Sequence, residues 1–284
     1  MFKCNKLLGV SLAAIMSISA AATNVFAIDT SVIDEKWGKP TVVYGGGLSE
    51  DQIQSTRELF DIEDTNNVYE TSVDANDLYN YLGIVGGDTS SLISSVMVQK
   101  QDSGTGVKVK IITQSNITKI TSNQYANAAI TAGVSDVEID VASISKVTGE
   151  SALTGVYKAL EANGETLDPD RTQVAQDELE ATNEIAQNNA DDSNFDSARL
   201  DQALVEIKQE LAQIKQNQGS AATTEQVEQV VQDALEEFNL SDIISQDDID
   251  KLIAFAKKYQ NTSAIDSQLS LIHISEPTRR TPIS

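Results

Sequence analysis

Asn163-Gly-Glu-Thr-Leu-Asp-Pro-Asp170 is the stretch that divides this chain. Upstream of it glycine is frequent and short β-branched runs recur; downstream the pattern turns helical. Of fifteen glycines, thirteen lie between Gly38 and Gly164, and the other two are Gly9 and Gly219. Asp168 has the side chain of a helix N-cap, and Pro169 suits a first helical position because its missing N–H has no intrahelical partner to lose there. The reading is therefore α+β: a mixed α+β N-terminal domain over 28–165, followed by an all-helical C-terminal domain over 166–268.

Working back from the boundary, residues 151–162 present Leu153, Val156, Tyr157 and Leu160 on one helical face. Val137, Ile139 and Val141 alternate with Glu138 and Asp140, the pattern of a half-exposed strand. A helix over 122–132 ends at Gly133. Residues 92–100 and 107–113 read as a hairpin across Asp102-Ser-Gly-Thr-Gly106. A short helix over 77–82 stops at Gly83, with a strand at 68–73 before it. Thr41-Val-Val-Tyr44 forms the first strand. Ser49 caps a helix whose Gln52 completes a capping box, with Ile53, Leu59 and Phe60 facing inward.

Forward of the boundary, Leu200, Leu204, Ile207, Leu211 and Ile214 step by four and three residues. Two heptads fall short of a sustained coiled coil, so the stripe predicts an intramolecular bundle over an oligomerisation coil. Val227, Val230, Val231, Ala234, Leu235 and Phe238 form a second stripe. Ile249, Leu252, Ile253, Phe255 and Ala256 form a third, after a cap at Ser245 or Asp247. Residues 213–224 read as a polar linker.

The two ends read differently from the body. Lys3 and Lys6, an apolar run over 7–22 and Val25-Phe26-Ala27 have the three parts of a secretory leader, which predicts cleavage before Ile28 and places residues 1–27 outside the fold. Leu269-Ser-Leu-Ile-His-Ile-Ser-Glu-Pro-Thr-Arg279 resembles a translated sequencing adapter, and residues 269–284 are expected to be non-native, with the natural C-terminus missing. The only cysteine, Cys4, and the only histidine, His273, fall in these ends. Residues 28–268 thus carry neither type. That excludes Ser-His-Asp and Cys-His nucleophile systems, thiolate or imidazole zinc sites, and disulfide exchange. The net charge of −23 becomes −26 once the leader's two lysines and the tail's single net positive charge are set aside. Such a surface repels nucleic acid and anionic lipid and favours solubility; the expected reading is a solvated acidic surface, over one that attracts cations or basic partners.

Four motifs carry chemical hypotheses. Gly149-Glu-Ser151 resembles the start of a nucleophile elbow, but Leu153 stands where glycine is needed, and a helix start capped by Thr148 explains the same residues. Ser143-Ile-Ser-Lys146 matches the serine–lysine pattern of penicillin-recognising enzymes, without the Lys-Thr-Gly that accompanies it. Gly45-Gly-Gly-Leu-Ser49 offers backbone N–H groups at a helix start, where Glu50 and Asp51 already complement the dipole. Asp192, Asn194 and Asp196 mimic the opening of a calcium loop, with Ser197 and Ala203 at the positions that require Gly and Glu. No residue is therefore assigned a catalytic, cofactor-binding or metal-ligating role, and no cofactor is expected.

Several segments taken together resemble a known family. They are Tyr44-Gly-Gly-Gly-Leu-Ser49, Tyr79-Asn-Tyr-Leu-Gly83, Ser94-Ser-Val-Met97, Asn116-Ile-Thr-Lys-Ile-Thr121, Tyr125-Ala-Asn-Ala-Ala-Ile-Thr-Ala-Gly-Val134 and Thr148-Gly-Glu-Ser-Ala-Leu-Thr-Gly-Val-Tyr-Lys158. In order and spacing they are similar to the YpuA-like secreted proteins of Gram-positive bacteria, a family of unknown function (DUF1002). The likeness runs over about 40–255 and is most specific over 116–158. It implies an exported envelope protein and supplies no catalytic residues. The expected function is a secreted or envelope-associated binding or structural module, not an enzyme, with a protein or wall-polymer partner and no nucleic acid. Membrane contact is expected only through a missing C-terminal segment. The alternatives are an envelope hydrolase or transferase using carboxylates or the Ser143–Lys146 pair, and a calcium-dependent wall-associated protein.

Overall fold

The structure is a computed structural model that describes residues 37–149 and 151–266; the leader and the tail discussed above lie outside the described residues. Five strands form one mixed sheet: β1 (Thr41–Gly45), β2 (Tyr69–Val73), β3 (Ser95–Lys100), β4 (Val107–Ile111) and β5 (Val137–Ala142). Their order is β2-β1-β3-β5-β4. The helices interleaved with them are α1 (Glu50–Leu59), α2 (Ala75–Leu82), α3 (Ser122–Ala132) and α4 (Ala152–Ala162). Four longer helices follow: α5 (Pro169–Asn188), α6 (Ser197–Gln218), α7 (Thr224–Glu237) and α8 (Gln246–Tyr259).

The expected hairpin between β3 and β4 does not form. β5 lies between them, antiparallel to β3 and parallel to β4. The cause is the helix that follows β4. A strand, a helix and a second strand return the chain parallel to its start, so β4, α3 and β5 close as one βαβ unit and β5 takes the edge that β3 would have used. β1, α1 and β2 form a second such unit, with β1 and β2 parallel. β3 joins the two units, antiparallel to both of its neighbours.

Alternation in the central strands sorts their side chains between two apolar layers. Val43, Val96, Val98, Val137, Ile139 and Val141 face a large core shared with α2, α3 and α4. On the opposite face Val42, Tyr44 and Ala142 pack with Phe60 beneath α1, and Ile53 and Leu59 cover them. The capping box of α1 is present, Ser49 and Gln52 satisfying each other's backbone N–H groups. Arg57 of α1 ties this layer to β2 through a bidentate pair with Glu70, at 2.8 Å and 2.9 Å. That guanidinium holds the Glu70 carboxyl below its ordinary pKa.

The three helical stripes converge on a second core. Leu200, Leu204, Ile207 and Leu211 of α6 meet Val227 and Val231 of α7 and Leu252, Phe255 and Ala256 of α8. The heptad face is thus consumed inside one chain, as a bundle uses it. Residues 213–218, read as linker, are the last turns of α6, which ends at Gly219. The remaining connection, 219–223, is fastened by Gln260, whose side chain accepts from Ala222 N and donates to Ala222 O.

Helix α5 belongs to both cores. Ala175 and Leu179 enter the sheet-side core, while Val174 and Ile185 enter the helical one. Asp168 caps it by accepting from Asp170 N at 3.0 Å, and Pro169 occupies its first turn. Because α5 is enclosed on both sides, polar residues are buried with it. Glu178 is 1 % exposed, and it pairs at 2.9 Å with Lys208 of α6, itself 2 % exposed. Thr131 of α3 donates its hydroxyl to the other carboxylate oxygen.

Candidate functional site

Residues 146–149 and Ser151, between β5 and α4, form one wall of a cleft. α2 and the residues after it supply a second wall, and α5 closes the far side. The cavity has a volume of about 500 Å³. Its floor is apolar: Leu78 and Leu82 from α2, Ile84, and Leu92 and Ile93 from the approach to β3. Ile84 is 37 % exposed and its neighbour Val85 is 83 % exposed, so apolar surface continues out of the cleft.

Local backbone constraints shape this wall. Gly149 sits at φ +104°, and a Cβ there would lie 2.5 Å from the Tyr125 hydroxyl oxygen. Only glycine fits both the left-handed conformation and the close approach. Tyr125 donates its hydroxyl to the Gly149 carbonyl, pinning the loop onto α3. The wall at residues 89–93 is held from below by the three glycines at the end of β1 and just after it. Added Cβ atoms at Gly45, Gly46 and Gly47 would lie 2.2 Å from Leu92 O, 2.3 Å from Val73 O and 2.4 Å from Ser90 O. Gly47 N donates to Leu92 O at 3.0 Å and Ser49 N to Gln52 Oε1 at 2.8 Å. The Gly45–Gly47 run therefore serves backbone-to-backbone packing, and the N–H groups considered for an anion are engaged at these two positions.

The polar groups of the cleft come from three segments. Ser151 hydrogen-bonds Ser94 hydroxyl to hydroxyl at 2.8 Å. Lys146 lines the cleft and is exposed. Gln176 and Glu180 enter from consecutive turns of α5, with the Gln176 amide donating to Glu180 Oε1 at 2.7 Å. Gln176 is 3 % exposed, and among the described residues its Oε1 has no hydrogen-bond partner. A buried acceptor left in this state costs roughly 1–3 kcal/mol, which a donor from a bound molecule would recover.

The residues singled out from sequence fare differently. Ser151 and Lys146 reach the same cleft. Ser143 does not join them: it is 1 % exposed, and its hydroxyl donates to Ser145 O at 2.8 Å. A hydroxyl so committed is not poised as a nucleophile beside Lys146. Thr148 is not the α4 cap; the helix starts after Ser151, which makes no side-chain capping bond. Asp192 Oδ1 accepts from Asn194 N at 2.8 Å, and Asp196 caps α6 at Ala198 N. These two carboxylates thus organise the turn into α6. Among the described residues no group of three or more His, Cys, Asp or Glu side chains is arranged to hold a metal. Also among them, no helix is long and apolar enough to cross a membrane.

Ser94, Gln176 and Glu180 escaped the sequence reading. Gln176 and Glu180 lie four apart in a mostly polar helix whose apolar residues, Val174, Ala175, Leu179 and Ile185, are split between two cores, which hides the inward face. Ser94 precedes a strand in a run of common residues and carries no signal of its own.

The cleft lies within a matched region of the sequence. Residues 44–271 match the family described as "Protein of unknown function (DUF1002)". The chain belongs to this family. It is also similar to the "Uncharacterized protein YpuA" of Bacillus subtilis (strain 168), with 29 % identity over 259 residues, covering 89 % of this chain and 83 % of that protein. No solved structure matches the chain. The family membership agrees with the resemblance carried by residues 116–158, the stretch that holds Lys146, Gly149 and Ser151.

Proposed function

We propose that this family member is an exported, envelope-associated protein that acts by binding, and that the cleft between 146–151, α2 and α5 receives a peptide segment of the wall or of another envelope protein. The observation that carries this reading is the buried Gln176 Oε1, unpartnered above a floor of Leu78, Leu82 and Leu92. A peptide N–H supplies the donor this oxygen lacks, an aliphatic side chain covers the floor, and a carboxylate is complementary to the Lys146 ammonium at the rim. The hydroxyls of Ser151 and Ser94 are bonded to each other, which fits recognition better than attack. Export rests on the leader read from residues 1–27.

The test is an NMR titration of the purified ¹⁵N-labelled chain with peptides released from purified cell wall. Saturable shifts at the Gln176 side-chain amide and at Ser151 are expected, together with loss of the Ser151 shift in Gln176→Leu. Absence of any saturable shift at these positions refutes the reading. So does release of hydrolysis products that stops in Ser151→Ala, since that would make the cleft a catalytic one.

A further inference from the structure

A second cavity, of about 460 Å³, lies between α3 and α6. Asp201 of α6 lines it and is 5 % exposed, with its Oδ1 unpartnered among the described residues. The amides of Asn123 and Asn127 line it from α3, and Gln202 and Glu206 from α6. Ala126, Val205 and Phe238 supply apolar surface. Among the described residues no basic side chain lines it.

Cations near Asp201 are committed elsewhere. Lys208 pairs with Glu178. Arg199 donates to the carbonyls of Phe238, Asn239 and Asn194. Asp196 and Glu178 add negative potential at Asp201, Lys208 partly offsets them, and Asn123 bonds the carboxyl. Burial, the dominant cause, raises the Asp201 pKa to about 6.

We propose that this cavity binds an organic cation, an ammonium or guanidinium group on an aliphatic stem, with Asp201 as the carboxylate that receives it. A charged N–H donor is the best partner for a buried unpartnered carboxylate oxygen, because the hydrogen bond and the Coulomb attraction act together away from water. The carboxamide oxygens of Asn123, Asn127 and Gln202 are further acceptors. Ala126 and Val205 cover the methylenes of the stem, and the Phe238 ring adds a face that attracts cations. The net charge of −23 draws such ligands toward the surface. Where Asp201 is protonated in the free protein, the arriving cation displaces that proton to solvent, so binding releases protons near pH 6.

The test is a titration of the ¹⁵N-labelled chain with pentylammonium chloride and with agmatine, read at the side-chain amides of Asn123 and Asn127. 1-Pentanol and calcium chloride are run alongside, and calorimetry at pH 6 in two buffers of different ionisation enthalpy counts the protons released. Expected are saturable shifts with both organic cations, proton release, and affinity weaker by about tenfold or more in Asp201→Asn, the scale of one charge-assisted hydrogen bond. Ala126→Leu, which fills the cavity and keeps the carboxylate, is expected to abolish the shifts while the rest of the spectrum is preserved. The proposal is overturned if neither organic cation gives a saturable shift, if pentanol binds as tightly, or if calcium alone moves these resonances.

Discussion

Replacing Lys208 by methionine removes one half of an ion pair that is buried where α3, α5 and α6 meet. Its Nζ lies 2.9 Å from Glu178 Oε1 and 3.3 Å from Thr131 Oγ1, and the two charged side chains are 3 % and 1 % exposed. Methionine matches much of the lysine stem, so little packing is lost and the change isolates the charge. Glu178 is left with the Thr131 hydroxyl as its hydrogen-bond donor. Breaking a buried pair from one side costs about 3–5 kcal/mol, because the remaining charge stays desolvated and uncompensated. At an effective dielectric near 20 the lost attraction at about 4 Å is itself about 4 kcal/mol, which agrees. Removing both charges has a different outcome. Lys208→Met with Glu178→Leu replaces the pair by apolar groups, a change that ranges from neutral to stabilising, and orphans only the Thr131 hydroxyl, at roughly 1 kcal/mol. The double variant is therefore expected within about 2 kcal/mol of the parent, and a double-mutant cycle should return a coupling of several kcal/mol. Urea unfolding followed by circular dichroism measures all four proteins, with the slopes compared to confirm one transition. A single Lys208→Met variant that loses less than about 1 kcal/mol would refute the reasoning, since that is the worth of a solvent-exposed pair.

Three further outcomes follow from the same geometry. The Asp201 pKa is raised to about 6, above its unfolded value, so the stabilisation from its neutral form is complete below about pH 4 and is lost as pH rises through 6. Asp201→Asn should accordingly gain on the parent by about 2 kcal/mol at pH 8 and by little at pH 4; urea midpoints that shift equally at both pH values would exclude this. Gly46→Ala places a Cβ 2.3 Å from Val73 O and should destabilise by about 1–3 kcal/mol or more, because a backbone carbonyl cannot step aside; an unchanged melting temperature contradicts the packing of this turn. Leu204→Ala, fully buried in the helical core, should cost about 2–5 kcal/mol with no dependence of the melting temperature on protein concentration. A concentration-dependent midpoint would instead assign the heptad face to an oligomer.

Much of the local structure is written in the chain because its causes are local. The Ser49–Gln52 capping box, the Asp168–Pro169 helix start and the stops at Gly83 and Gly133 depend on residues within one turn of each other. The stripes from Leu200 to Leu211 and from Val227 to Leu235 follow from helical period alone, and so does the inward set Leu153, Val156, Tyr157 and Leu160. The lack of histidine and cysteine over 28–268 needs no structure either. Strand pairing is different. Residues 92–113 contain two strands and a turn, yet whether they pair depends on where Val137–Ala142 goes, and the α3 crossover between β4 and β5 sends it between them. Alternation tells which residues share a face of a strand and says nothing about which strand lies beside it. Burial of polar side chains is likewise a tertiary outcome. Gln176, Glu178, Asp201 and Lys208 occupy helix positions whose residue types read as ordinary polar surface, and they are enclosed because α5 and α6 are packed against neighbouring elements. The sequence by itself settled most of the helices and most of their caps, since those are functions of neighbouring residues. The two cavities and the buried pair were decided by the tertiary structure, since they exist only where segments distant in the chain are brought into contact.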